Sequence, residues 1–173
     1  MEAIFWDKAK TQKGISGVLP MDELILNSVK KHKTNCPFKL ASRLNITIMY
    51  EDLGKITKGF FHRRLRRNYI VLHYDQSYQQ QRFAVGHELG HFFYDRGTSY
   101  FRIEQNSLLL PAKYERRANI FAVKLLCIGS EMNFGETIQS YFLRNGIPEE
   151  MHRYFQSNFA LSSSMAVSIC EWT

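Results

Sequence analysis

Apolar residues recur along the chain with two different periods, which predicts helices on either side of a small sheet. Residues 21–33 carry an apolar stripe at helical spacing and end in three lysines, which favours a helix because cations stabilise a helix C-terminus. Residues 37–44 predict a second helix that begins at a proline. Runs rich in β-branched and aromatic residues then predict three strands, at 46–50, 58–62 and 69–73.

The second half of the chain returns to helical spacing. Residues 78–95 predict a helix that is capped by Asp75 or Ser77 and closed by Gly97. Residues 111–127 predict another helix. Two short helices follow and form a helix–turn–helix-like pair, with helices at 136–143 and 149–159 and a turn at 144–148.

These elements predict an α+β fold. The last two strands form an antiparallel hairpin with its turn at 63–68, and a small antiparallel sheet of about three strands packs on helix 78–95. Further helices lie at the N- and C-terminal ends. The organisation that follows is a core at 1–128 and a small helical segment at 129–173.

Composition narrows the class of protein. The 173 residues are 45% hydrophobic and 23% charged, which suits one compact domain. No apolar run is long enough to span a membrane, and the first residues lack the pattern of a secretory signal. The three cysteines, Cys36, Cys127 and Cys170, lie far apart, which argues against a disulfide framework or a thiolate zinc cluster and predicts a cytoplasmic protein. The net charge of +7 favours acidic partners or nucleic acid.

Candidate chemistry lies in the helix at 78–95, where residues 87–91 read His-Glu-Leu-Gly-His. In this H-E-x-x-H pattern His87 and His91 are one turn apart on one helix face, so both imidazoles can reach a single metal ion. The Glu88 carboxylate can then act as a general base that takes a proton from the attacking water. Chance placement of two core histidines and a surface glutamate is the competing interpretation, and the apolar mid-helix setting disfavours it.

A catalytic zinc usually has three protein ligands. The metzincin pattern would need His at position 97, where this chain has Gly97. The best candidate from spacing is Glu115 on the next helix, and Asn119, one turn further, could hydrogen-bond a ligand histidine and fix its tautomer. The sequence leaves four rival ligands open, namely His73, Asp95, Glu104 and His152. It also does not choose an oxyanion-stabilising residue among Tyr94, Tyr114 and His152.

Two further features carry weaker signals. Four arginines, Arg63, Arg64, Arg66 and Arg67, crowd the predicted hairpin turn. They could contact phosphates or an acidic partner, although a solvated turn is the favoured interpretation. The helix–turn–helix-like pair is common without DNA binding, so direct nucleic-acid binding is not favoured.

Two segments, 81–91 (Gln-Arg-Phe-Ala-Val-Gly-His-Glu-Leu-Gly-His) and 115–126 (Glu-Arg-Arg-Ala-Asn-Ile-Phe-Ala-Val-Lys-Leu-Leu), resemble the ImmA/IrrE family of metallopeptidases. With the preceding hairpin, the resemblance covers about residues 45–128. Ala84 and Gly86 depart from the residues common in the family, and neither carries chemistry. The resemblance implies a zincin-like core, with Glu115 as the third metal ligand beside His87 and His91.

The resemblance also implies an activity and a partner. Members of this family are site-specific endopeptidases that cleave an Xre/cI-like helix–turn–helix repressor, which relieves repression of a prophage, a mobile element or stress genes. The implied cofactor is Zn²⁺, with Mn²⁺ as an alternative. An alternative function is a zinc-stabilised anti-repressor that sequesters its partner without cutting it. An edge strand, 46–50 or 69–73, could pair with the extended substrate.

Overall fold

The computed structural model describes residues 20–94 and 110–154 and confirms the α+β class. The described elements follow the chain in this order: α1 (Met21–His32), α2 (Pro37–Arg43), β1 (Ile46–Glu51), β2 (Gly59–Arg64), β3 (Arg67–His73), α3 (Tyr78–Tyr94), α4 (Leu110–Cys127), α5 (Ile138–Asn145) and a short 3-10 helix (Glu149–Tyr154). The closing Gly97 and the predicted helix end at 155–159 lie outside the described residues. No helix in the two described segments is long and apolar enough to cross a bilayer.

The sheet is mixed, not wholly antiparallel as predicted. Its strand order is β1-β3-β2, with β1 parallel to β3 and β2 antiparallel to β3. The reason is that the chain reverses after β1 and again after β2, so β3 returns between them in the direction of β1. The strand predicted at 69–73 is therefore central and has no free edge, whereas β1 and β2 are the edge strands.

The β2–β3 hairpin is tighter than the predicted turn at 63–68. Both strands extend toward the tip, with Arg64 opposite Arg67, and only Leu65 and Arg66 connect them. Both connecting residues have positive φ, at 48° and 64°, as a two-residue hairpin turn of the mirror-image type requires. The sequence did not reveal this turn because it lacks the Asn-Gly or Asp-Gly pair that usually forms it.

Helix α3 begins at a reciprocal cap. The Ser77 hydroxyl accepts a hydrogen bond from the Gln80 backbone N–H at 3.3 Å, and the Ser77 N–H donates to the Gln80 side-chain oxygen at 2.9 Å. This is a capping box, which satisfies two backbone groups at the helix start. Of the two predicted caps, Ser77 is the one that the structure uses.

Helix α3 lies between the sheet and α4. On the sheet side, Val85, Leu89 and Phe92 belong to one buried cluster with Ile70 and Leu72. On the other side, α3 and α4 approach closely because small residues line their contact, with Gly86 against Ala122 and Gly90 against Ala118. This close approach brings the polar side chains of α3 and α4 within reach of one another.

A second apolar cluster joins α4 to the C-terminal elements. Val123 and Leu126 of α4 pack with Phe142 of α5 and Met151 of the 3-10 helix. Helix α5 is capped by the Thr137 hydroxyl and ends at Gly146 with positive φ. The division into a core at 1–128 and a segment at 129–173 stays a prediction.

We expect Gly90→Ala to destabilise the protein by about 1–3 kcal/mol, the usual range for overpacking. A Cβ at position 90 would lie 2.8 Å from the Ala118 Cα and 3.2 Å from the Ala118 carbonyl oxygen, so the two helices must separate. Urea unfolding of metal-free protein measures the change. The matched control is Gly86→Ala, whose Cβ would lie 3.4 Å from the nearest atom and should cost little. Equal stability of the Gly90 variant and wild type would contradict the close contact.

Candidate metal centre

Three side chains from α3 and α4 converge on one point. His87 and His91 project from successive turns of α3, and their Nε2 atoms lie 3.0 Å apart. Glu115, in the second turn of α4, places one carboxylate oxygen 3.2 Å from the His87 Nε2 and the other 3.3 Å from the His91 Nε2. The ligand atoms of all three lie within 4.8 Å of one another, so the group could hold a metal ion.

The chemistry of this donor set fits a divalent transition metal. Two imidazole nitrogens and one carboxylate oxygen are the ligands of several catalytic zinc sites, which leave a further position open. Burial by itself would raise the pKa of Glu115, but the contacts that the His87 and His91 rings make with its carboxylate outweigh burial and hold that pKa well below its usual range. Glu115 is therefore an anion at neutral pH, as a ligand must be.

Asn119 holds the orientation of the His87 ring. Its Oδ1 lies 2.8 Å from the His87 Nδ1 and accepts a hydrogen bond from it. That bond places the proton of neutral imidazole on Nδ1, so the Nε2 lone pair faces His91 and Glu115. Asn119 is one helical turn from Glu115, which explains how one face of α4 supplies both groups.

We expect Asn119→Leu to weaken metal binding by about 10–100-fold, the usual cost of losing such an orienting bond. The reason is that the His87 ring loses the acceptor that fixes its tautomer. Competition with a chromophoric chelator measures the affinity. Asn119→Asp, which keeps an acceptor oxygen, is the control and should bind metal far better than Asn119→Leu. Similar losses in the two variants would show that the acceptor is not what matters.

Glu88 lies beside the group and is not part of it. The residue is only 6% exposed. Burial raises the pKa of the Glu88 carboxyl, while the neighbouring His87 and His91 and a hydrogen bond from the Phe61 backbone act in the opposite direction. The carboxyl is thus held between α3 and strand β2.

The Phe61 backbone contact escaped the sequence analysis. No side-chain pattern marks a backbone N–H as a partner, because the contact depends on how β2 lies across α3. The Phe61 ring packs edge-on against Phe92 of α3, with ring centroids 5.7 Å apart, and this contact fixes the strand beside the helix.

The rival ligands are not brought to this group in the part of the chain that the structure describes. The His73 Nδ1 accepts a hydrogen bond from the Leu53 backbone N–H at 3.0 Å, and His152 is exposed on the 3-10 helix. Asp95 and Glu104 lie outside the described residues. Two candidates for oxyanion stabilisation, Tyr94 and Tyr114, instead contact the Arg117 guanidinium with their ring faces.

Comparisons with known proteins agree with this geometry. The sequence profile of Peptidase_M78, the IrrE N-terminal-like domain, matches residues 41–133. An "Uncharacterized immunity region protein 2" of Bacillus phage phi105 is 33% identical over 128 residues, covering 71% of this chain and 80% of that protein. The metallopeptidase ImmA of Bacillus subtilis (strain 168) is 28% identical over 123 residues, covering 71% of this chain and 69% of that protein. No solved structure matches the chain.

Proposed function

The chain belongs to the IrrE N-terminal-like domain family of peptidases, and we propose that it is a zinc-dependent endopeptidase that cleaves a helix–turn–helix repressor. The observation that carries the proposal is the convergence of two imidazoles and one carboxylate beside a buried glutamate. The names of the two relatives, a metallopeptidase and a phage immunity region protein, support a peptidase that acts in the control of phage immunity.

His87, His91 and Glu115 would hold the metal through two nitrogens and one carboxylate. When bound, zinc supplies Lewis-acid polarisation of the scissile carbonyl and makes water a nucleophile at neutral pH. A mixed nitrogen and oxygen donor set suits zinc, and manganese is the alternative that metal analysis separates. Asn119 keeps the His87 ring in the tautomer that a ligand needs.

Glu88 is the proposed general base. Its carboxylate accepts the proton of the attacking water and then delivers it to the leaving amine, so one residue serves both halves of the reaction. Two observations support this role. Burial raises the pKa of Glu88, which favours proton acceptance, and the hydrogen bond from the Phe61 N–H fixes the position of the carboxyl.

We assign substrate binding to the edge of β2 that faces away from β3, which pairs with no other strand among the described residues. The His73 N–H donates to the Lys58 carbonyl, so the register directs the backbone groups of Lys58, Phe60 and His62 toward β3. The backbone groups of the alternating residues, Gly59, Phe61 and Arg63, therefore point away from β3, and Glu88 lies on that side. An extended peptide can add to such an edge as a further strand, through the backbone groups that Glu88 does not occupy, with its own backbone beside the general base.

The proposed partner is the Xre/cI-like repressor that controls the element encoding this chain. Cleavage of that repressor would relieve repression of a prophage, a mobile element or stress genes. The immunity region named in one relative supports a target that is related to a repressor.

The test incubates the purified, zinc-loaded chain with the repressor encoded beside it and maps the products by intact-mass spectrometry. We expect about one zinc per chain and a single cleaved bond in the repressor, with activity lost after chelation and restored by zinc. A helix–turn–helix repressor from an unrelated element is the control substrate and should stay intact. Loss of repressor function without new fragments would replace the proposal with the sequestering anti-repressor.

A further inference from the structure

The tip of the β2–β3 hairpin carries more positive charge than the fold needs. We define the arginine tip as residues 63–67, Arg-Arg-Leu-Arg-Arg. All five residues are exposed, and the Leu65 side chain at the centre is 87% exposed. The surface therefore consists of one apolar side chain surrounded by four guanidinium groups.

No residue in the described part of the chain neutralises the charges of the arginine tip. Arg64 and Arg67 are directly opposite each other in the hairpin register, an arrangement of like charges that destabilises a strand pair. Among the residues that the structure describes, none of the four guanidinium groups forms an ion pair or a side-chain hydrogen bond. The charge of the tip is therefore available to a partner.

The turn itself is also not built from residues that favour it. Leu65 and Arg66 both adopt positive φ, a region in which glycine and asparagine are much more stable. A hairpin selected for stability alone would carry Asn-Gly at these positions. Local stability therefore explains neither the charge of the tip nor the residues of its turn.

The arginine tip continues the edge of β2 that lies beside Glu88. The Phe61 N–H bonds to Glu88, and Arg63 lies two residues further along the same open edge, about 7 Å away. The hairpin turn at the end of the tip lies about two residues beyond Arg63. A peptide that extends along β2 from Glu88 would therefore reach the arginines within a few residues of the bond to be cut.

We propose that the arginine tip binds an acidic segment of the protein substrate close to the cleaved bond. This inference rests on the function proposed above and adds the chemistry that selects the substrate. Acidic side chains would pair with the guanidinium groups, and an apolar side chain between them would contact Leu65. Charge pairing of this kind raises the association rate and rejects basic competitors.

The observations favour a protein partner over nucleic acid. Helix α5, the first helix of the predicted helix–turn–helix-like pair, ends at the start of α3, where Arg82 donates to the Asn145 carbonyl and Gly146 lies beside Gln79. Strand β2 runs along α3 from Lys58, which accepts from Gln76, to Phe61, which packs on Phe92, so the arginine tip lies toward the other end of this 17-residue helix, which is about 25 Å long. The arginine tip and the helix–turn–helix-like pair therefore do not form one surface. In addition, the apolar Leu65 side chain contributes nothing to phosphate binding.

Fluorescence anisotropy with labelled poly-glutamate tests the proposal on the full-length chain. The test variant changes Arg63, Arg64, Arg66 and Arg67 to Gln. The control variant makes the same change of charge at four exposed positions on α1 and α2, namely Lys30, Lys31, Lys39 and Arg43. We expect the test variant to bind about tenfold or more weakly than wild type, and the control to stay within about twofold.

The other outcomes of the experiment distinguish the proposal from its alternatives. Equal losses in the two variants would assign the binding to net charge and overturn the proposal. Duplex DNA that binds the arginine tip more tightly than poly-glutamate at the same salt concentration would overturn it in favour of nucleic acid. Binding that depends on the arginines in a chain that cleaves no repressor would refute the proposed function and leave the acidic-segment site standing.

Discussion

Glu88→Gln is expected to keep the metal and to lose about 10²- to 10⁴-fold of the cleavage rate, the usual contribution of a positioned general base. Glutamine has nearly the same shape and keeps an oxygen that can accept the Phe61 N–H, but it cannot take a proton from water. Its side chain is not among the three that converge, so the donor set of His87, His91 and Glu115 stays complete. Metal content by mass spectrometry and single-turnover cleavage of the repressor measure the two effects separately.

The same variant carries its own control for folding. Because burial raises the pKa of Glu88, the charged carboxylate is unfavourable in its position, and a neutral glutamine should leave the thermal midpoint equal to or above that of wild type. Glu150→Gln, an exposed substitution on the 3-10 helix, controls for loss of one negative charge. Full cleavage activity in Glu88→Gln would contradict the role of general base.

Glu115→Ala is expected to lower metal affinity by more than about 100-fold, beyond the range typical of a residue that only orients a ligand. The substitution removes the one anionic donor and leaves two neutral imidazoles to hold a divalent cation. Glu115→Gln keeps a carbonyl oxygen without the charge, so its affinity should lie between alanine and wild type. Competition with a chromophoric chelator measures all three proteins.

Glu150→Ala is the matched control, since it removes an exposed carboxylate distant from the histidines in sequence and should bind metal as wild type does. If Glu115→Ala retained one metal per chain with unchanged affinity, the third ligand would have to be another residue. Asp95 and Glu104, which precede α4 in the sequence, would then be the residues to substitute next.

Local periodicity gave much of the fold. The elements α1, α2 and α4 and the three strands agree with the prediction to within a few residues, because apolar spacing reports directly on which face of an element is buried. The start of α3 was also readable, since Ser77 and Gln80 have the spacing of a capping box. What periodicity could not give was strand order, because pairing depends on where the chain returns and not on the pattern within a strand. The parallel β1–β3 pair and the place of β2 at the edge of the described sheet followed only from the tertiary structure.

The candidate site divides in the same way. The sequence by itself determined that His87 and His91 share one face of a helix, because residues four apart in an α-helix lie one turn apart whatever surrounds them. It could not choose Glu115 over its rivals, because that choice depends on how closely α3 and α4 approach, and the approach is set by Gly90 against Ala118. The sequence also could not predict the Phe61 N–H beside Glu88, because no side-chain pattern marks a backbone N–H as a hydrogen-bond partner. Spacing along one element fixed the histidine pair, and packing between elements decided what meets it.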